Sequence, residues 1–553
     1  MAEHPQQNTA LPASAAARRK SPYPPVPQSH KWGLFAILVV AALLRLHGLG
    51  GMSLWYDEAH SLFYGQFADL QGSLMAPRNM TEPPVMALLA RLWYDAIQGA
   101  TELSPLSPAS DFLIRLLPCL FSVLGVYAIY LAARVLTHDN GASLAAALFC
   151  AISPFQVYYG QELRIYSFYM ALSLALVFFL VRAMEEDRVR WWAALAAAEA
   201  LLLYTHFAGV WTLLLINVTF IVCLVADGWR ARMHFFAWYA TQAVAFVLSL
   251  PAIVLLLRAQ HHVSRIEVPW YQFDLSWKTA LITFKVFFAG YGFTVWAYWV
   301  LFALAGLLTV LGLAALRKRP GPLLLVVLLA AGPVALNFLL WKDREFSLYH
   351  HRMFIFSGAM TYVLAGAGLH ALQKPRMIAA AVALLIGFTL PGLRDHYAER
   401  LHPVEVHRAG IYTHSDFRAA AAHIVAQWQE GDALAAANHF VIPSLRHYLR
   451  REPLRLCTEP WELPLMMQSH GHDALLYRQR LMPQLAAVAL RGYDRVWFVE
   501  SMGVTFEHKP HTDAVRAWLD AHYTALDDKA FYGLRVTLYA KTEATESRVE
   551  EAL

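Results

Sequence analysis

The chain has 553 residues, of which 58% are hydrophobic and only 15% charged, and its formal net charge is +5. A soluble chain carries about 25% charged residues, so an all-soluble protein is excluded. A charge this mild, scattered in short clusters without aromatic interleaving, leaves nucleic acid out as a partner. The four cysteines and 24 histidines form neither a disulfide framework nor a zinc spacing.

Residues 1–31 are polar and rich in proline and alanine, which predicts a disordered cytoplasmic arm. The first apolar run starts too late for a signal peptide and lacks a small-residue cleavage site, so it reads as a retained span. Apolar runs predict about eleven transmembrane helices, at 33–49, 112–136, 142–155, 165–183, 191–203, 207–226, 235–257, 294–316, 323–340, 354–369 and 377–393. The third and fifth are short for a full crossing. Residues 83–97 and 277–288 read as amphipathic helices lying on the membrane surface. From residue 394 the composition becomes ordinary. A helix at 415–428, a turn at Gly431-Asp432 into a strand at 433–437, strands at 495–499 and 534–540, and a helix at 511–522 predict a small α/β domain. The expected fold is thus an all-α polytopic membrane domain over 32–393 with a C-terminal extracytoplasmic α/β domain over 394–553. That domain carries no phosphate loop or triad, and acceptor recognition or scaffolding is its expected role.

Lys/Arg bias orients the chain. Arg18, Arg19, Lys20 and Lys31 precede the first span. Arg134, then Arg182, Arg188 and Arg190, then Arg230 and Arg232, then Arg317, Lys318 and Arg319, then Lys374 and Arg376 follow alternate spans. That side is expected to be cytoplasmic, in a multi-pass protein of the cell's inner (plasma) membrane, with the C-terminal domain outside. The other loops hold Asp57, Glu58 and Glu82; Gln161, Glu162 and Arg164; His206; and Lys342, Arg344, His350, His351 and Arg352. The ionisable groups therefore gather at one membrane face. A transporter or lipid flippase for envelope precursors, the alternative reading, places such groups near the bilayer midplane. A non-catalytic envelope scaffold is a third.

Several motifs occur in a fixed order. Trp55-Tyr56-Asp57-Glu58-Ala59 follows the first span, and Glu82-Pro83-Pro84 opens the next helix. Ser153-Pro154 leads through Tyr158-Tyr159-Gly160 to Gln161-Glu162-Leu163-Arg164-Ile165-Tyr166. Tyr204-Thr205-His206-Phe207 and His351-Arg352-Met353 come later. The series resembles the bacterial membrane glycosyltransferases related to protein O-mannosyltransferases and to the lipid A aminoarabinose transferase (glycosyltransferase family 39-like), over roughly residues 33–393. The resemblance implies a GT-C fold and transfer of a sugar from a polyprenyl-phosphate donor to an envelope acceptor: lipid, polysaccharide or protein. Many relatives have His before the Pro-Pro pair and Tyr after the late arginine, where this chain has Glu82 and Met353.

The residue types suit that chemistry. An acceptor hydroxyl must lose a proton as it attacks the anomeric carbon, and Asp57 is the candidate base. Glu58, the second catalytic candidate, points about 100° away if the segment is helical and is better placed to hold the loop. Arginine forks bind phosphate oxygens, which makes Arg164 and Arg352 the donor-phosphate candidates, with His351 secondary. Gln161, Glu162 and Tyr166 complete the site. A single displacement with one base inverts the anomeric centre. As in some relatives, Glu82 and His206 are candidate ligands for a divalent metal against the phosphate. Glu162 with Arg164 as a helix-end pair, Arg352 as a snorkelling anchor and His206 as a satisfied junction histidine are the structural alternatives. Lys342 and Arg344 read as interfacial.

Overall fold

The computed structural model describes residues 23–66, 83–227, 232–263, 275–292, 295–342, 349–400, 414–437, 441–449, 490, 492–501 and 509–541. Helix α1 (Gln28–Leu46) is followed by a loop, by α2 (Tyr56–Gln66) and by α3 (Val85–Ala100). Helix α4 (Pro108–Thr137) starts at Ser107, whose side chain accepts from the Ala109 N–H, with proline at the first helical position. Next come α5 (Asn140–Ile152), α6 (Pro154–Gly160), α7 (Tyr166–Glu186), α8 (Val189–Thr205), α9 (Gly209–Asp227), α10 (Arg232–Val263), α11 (Trp277–Ala289), α12 (Val295–Leu316) and α13 (Pro320–Trp341). A 3₁₀ turn, His351–Phe354, leads into α14 (Ile355–Ala371), and α15 (Pro375–Tyr397) follows.

Ten of the eleven apolar runs correspond to one helix each, and the run 142–155 crosses the break between α5 and α6. Among the described residues nine helices are long and apolar enough to cross a bilayer, and α5 with α6, bent by 63° to each other, makes a tenth. Helix α8, at 17 residues, packs between α7 and α10. Phe35, Leu43, Phe236, Val247, Leu307, Val310 and Leu390 lie exposed on α1, α10, α12 and α15, as expected where lipid replaces water. Helix α14 is the hub, and every residue from Ile355 to Leu369 is buried. Its small residues permit this. A Cβ on Gly368 would run into the Leu308 carbonyl of α12, and one on Gly312 into the Leu364 carbonyl, so the two backbones meet directly.

The expected span at 142–155 breaks at Ser153-Pro154. Proline has no N–H, so the carbonyl of Cys150 loses its helical partner. Arg45, fully buried near the end of α1, replaces it: Nη2 donates to Cys150 O at 3.1 Å and Nη1 to Ala151 O at 2.9 Å, while Nε donates to Ser122 Oγ at 2.6 Å. We expect Arg45→Met to lower the thermal midpoint in detergent, because each buried carbonyl left without a donor costs about 1–3 kcal/mol. An unchanged midpoint would show that the bend holds without it.

Helix α4 joins the two ends of the bundle. Arg134 and His138 at its C-terminal end belong to a basic layer. There His138 contacts Glu185 at 2.9 Å, Arg319 donates to Leu136 O at 2.7 Å, Arg182 pairs with Glu186, and His370 pairs with Asp139 at 3.0 Å. Among the described residues, the basic ends of α4, α7, α12 and α14 thus meet at one end. Asp111 and Arg115 sit near the N-terminal end of the same helix, on the way to the candidate site.

After the membrane helices come α16 (Phe417–Gln427), β1 (Ala433–Ala436), α17 (Ile442–Leu449), β2 (Arg495–Ser501), α18 (Lys509–His522), β3 (Thr524–Phe531) and β4 (Leu534–Ala540). The sheet order is β1-β2-β4-β3, with β1 parallel to β2 and the other pairs antiparallel. Sequence patterning located β1, β2, β4, α16 and α18. It missed β3, whose run Thr-Ala-Leu-Asp-Asp-Lys-Ala-Phe is mostly exposed and lacks the apolar alternation that marks a half-buried strand. The short α17 was also missed.

Candidate active site

Asp57 and Glu58 occupy the first turn of α2, where the helix dipole favours carboxylates. Their directions diverge, and the two meet different partners. Glu58 turns inward and is fully buried. Its carboxylate accepts a fork from Arg115, Nε to Oε1 at 2.7 Å and Nη2 to Oε2 at 2.6 Å, and also the Leu163 N–H at 2.9 Å. The same guanidinium donates to the carbonyls of Leu49, Met52 and Ser53 at 3.2, 2.7 and 2.9 Å. Burial alone would raise the Glu58 carboxyl, but Arg115 outweighs it and holds the pKa below its ordinary value. Glu58 is thereby committed to joining α2, α4 and the turn before α7.

Asp57 turns the other way and stays 20% exposed. Its Oδ2 lies 3.1 Å from Arg352 Nη1 and 3.8 Å from Arg164 Nη2. Arg164 also donates to the Asp57 carbonyl at 3.2 Å and to Ser61 Oγ at 3.0 Å, which fixes it against the first turns of α2. Both guanidinium carbons lie over the Tyr166 ring, 6.0 Å from its centroid for Arg164 and 5.7 Å for Arg352. Burial would raise the Asp57 carboxyl; Arg164 and Arg352 prevail, and its pKa is depressed. One turn on, burial and Arg164 push the His60 imidazole down to about 3, so a neutral ring stands beside Asp57. The result is one carboxylate, two guanidiniums and an aromatic floor, contributed by α2, the α6–α7 turn and the 3₁₀ turn before α14.

The other residues singled out in the sequence fall around this group. Gln161 donates to the carbonyls of Arg45 and His47 at 2.9 and 2.7 Å and meets His396 Nε2 at 2.7 Å, so it ties α1 to α15. Glu162 is buried; burial first, then Glu58, raises its pKa well above the usual carboxylate range. His351 lies flat against Tyr291, with ring centroids 6.0 Å apart, within an aromatic layer. His206 closes α8. Its Nδ1 accepts the Ala208 N–H at 3.0 Å, and burial, then Arg164 and Arg352, lower its pKa to about 3. With Nδ1 accepting, the neutral ring carries its proton on Nε2. Glu82 and Arg344 lie outside the described residues, and among those described no three His, Cys, Asp or Glu side chains gather as a metal site.

Sequence reading does not single out Arg115, which lies inside the apolar run 112–136, or Asp111, which stands just before it. The signal available is an opposite charge four residues before Arg115, which places both on one helix face, and an arginine inside a span is rarely tolerated without a partner.

The helical bundle and its bent span make this a polytopic membrane protein, and its likeness to the solved structures that follow shows the GT-C fold. Residues 82–255 match the family model of dolichyl-phosphate-mannose-protein mannosyltransferases. Among solved structures the chain is similar to ArnT from Cupriavidus metallidurans in the apo state, with a TM-score of 0.59 and 13% identity over 94% of this chain and 99% of that one. The same enzyme bound to undecaprenyl phosphate gives 0.56 and 14% over the same shares. The oligosaccharyltransferase AglB from Archaeoglobus fulgidus, in complex with an inhibitory peptide and a dolichol-phosphate, gives 0.52 and 11% over 94% of this chain and 75% of that one. No curated protein sequence matches significantly.

Proposed function

We propose that the chain transfers a sugar from a polyprenyl-phosphate-linked donor to an envelope acceptor at the extracytoplasmic face of the inner membrane, with Asp57 as general base. The observation that carries this reading is the Asp57 carboxylate held 3.1 Å from Arg352 and 3.8 Å from Arg164. Base and phosphate-binding groups stand where an acceptor and a lipid phosphate could meet. Solved neighbours bound to undecaprenyl phosphate and to a dolichol-phosphate support the donor class. The basic layer at the opposite end supports a cytoplasmic placement of that end.

The acceptor O–H gives its proton to Asp57 while its oxygen bonds the anomeric carbon. The bond from that carbon to the phosphate oxygen breaks, and the polyprenyl phosphate leaves with the electron pair and one more negative charge. Displacement from the opposite side inverts the anomeric centre. Arg164 and Arg352 neutralise the charge that develops on the phosphate, most effectively in a partly dry site. A bound phosphate competes with Asp57 for both cations. Donor binding therefore loosens the pairing that depresses the Asp57 pKa and makes the carboxylate a stronger base when the acceptor arrives.

Arg352→Ala is expected to weaken donor binding by about 2–3 kcal/mol, the loss of a charge-assisted phosphate contact, with little effect on folding. Donor titration of the purified protein in detergent checks this. Unchanged donor affinity and turnover would leave Arg352 as a membrane-interface anchor.

A further inference from the structure

Residues 49–53 run between α1 and α2 outside any regular element, so their backbone groups need partners from elsewhere. The carbonyls of Leu49, Met52 and Ser53 are taken by Arg115. The two between them are taken by Arg418 of α16: Nη1 donates to Gly50 O at 3.1 Å and Nη2 to Gly51 O at 2.6 Å, with Nη1 also paired to Asp111 Oδ2 at 2.6 Å. Two guanidiniums, one from the membrane helices and one from the C-terminal region, thus hold five consecutive carbonyls. Tyr448 of α17 adds a third tie, its hydroxyl accepting the Leu54 N–H at 2.6 Å and donating to Asp111 Oδ2 at 2.8 Å. Ser53 accepts the Arg418 N–H at 3.1 Å and donates to Asp416 at 2.9 Å. Gly50 lies so close to α4 that a Cβ there would strike the Pro108 carbonyl.

We propose that Arg418 and Tyr448 are positioning residues for Asp57, so that the C-terminal domain completes the catalytic loop. This rests on the reading of Asp57 as the base. Asp57 lies four residues past Ser53, and the start of α2 is set by a segment whose backbone is half held from the C-terminal domain. Misplacing a reacting group by about 1 Å can cost about 100-fold in rate. Arg115 alone fixes the two ends of the segment and leaves its centre, Gly50-Gly51, to Arg418.

The test uses the full chain in detergent with a labelled polyprenyl-phosphate sugar. Arg418→Gln should lower kcat about 10–100-fold while donor affinity stays near wild type, because Arg164 and Arg352 are untouched. In an Asp57→Asn background the same substitution should cost nothing further, since residues acting as a unit are non-additive. Amide hydrogen exchange over residues 49–58 should quicken in Arg418→Gln. Tyr448→Phe, which removes one hydroxyl and keeps the ring, should give a milder version of both effects and carries the test if Arg418→Gln does not fold. Losses that add to those of Asp57→Asn, or turnover unchanged in both variants, would overturn the proposal. If Asp57→Asn itself turns over normally, the base assignment fails, and exchange decides the clamp alone: faster exchange supports it and unchanged exchange refutes it.

Discussion

Asp57→Asn should lose transfer by about 10²–10⁴-fold, the usual cost of removing a general base, while the protein stays folded and binds donor. Asparagine keeps the size and can still accept a hydrogen bond from Arg352, so the local geometry survives. What disappears is the capacity to take the acceptor's proton. The side chain is partly exposed at the end of the bundle, so no packed span is disturbed. Turnover with a labelled donor, measured beside thermal stability and donor binding, checks the prediction. Near-normal turnover in Asp57→Asn together with a dead Glu58→Gln would transfer the base role to Glu58. Activity in both would remove this loop from the chemistry.

The largest effect on stability should come from Arg115→Met. The guanidinium is 2% exposed and its partner Glu58 is fully buried. Removing it leaves a buried carboxylate without its counter-charge, which typically costs about 3–5 kcal/mol, and also strips three loop carbonyls of their donor. Combining it with Glu58→Gln should recover part of the loss, because the stranded charge is then gone. Thermal unfolding of the single and double variants in detergent measures this. A single variant as stable as wild type, or a double variant showing plain additivity, would mean the pair does not hold the loop.

Much of the architecture was legible because lipid imposes a simple rule: long apolar runs become helices that satisfy their own backbone. The rule reads helix existence well and breaks poorly. The run at 142–155 continues in composition through Ser153-Pro154 while the backbone turns, and the arginine that makes the turn tolerable lies about a hundred residues earlier, at Arg45. The site shows the same division. Asp57, Arg164 and Arg352 stood out as ionisable groups at span ends, and the fold brings them together. That Glu58 is spent on Arg115, and that Arg418 and Tyr448 grip the segment ahead of Asp57, depends on contacts spanning 57 to more than 300 positions. Local pattern carries no trace of them. The same holds for His206, whose Nδ1 accepts the Ala208 amide at the start of the next helix, a contact its residue type alone does not announce.

The most direct test of sugar transfer at this site is product analysis in proteoliposomes containing the purified chain, a polyprenyl-phosphate sugar labelled in the sugar, and an envelope extract as acceptor source. Label should leave the lipid for the acceptor with inverted anomeric configuration, unsubstituted polyprenyl phosphate should accumulate in equal amount, and Asp57→Asn should stop both. Label that stays on the lipid while the lipid crosses the bilayer would contradict sugar transfer and make the chain a flippase.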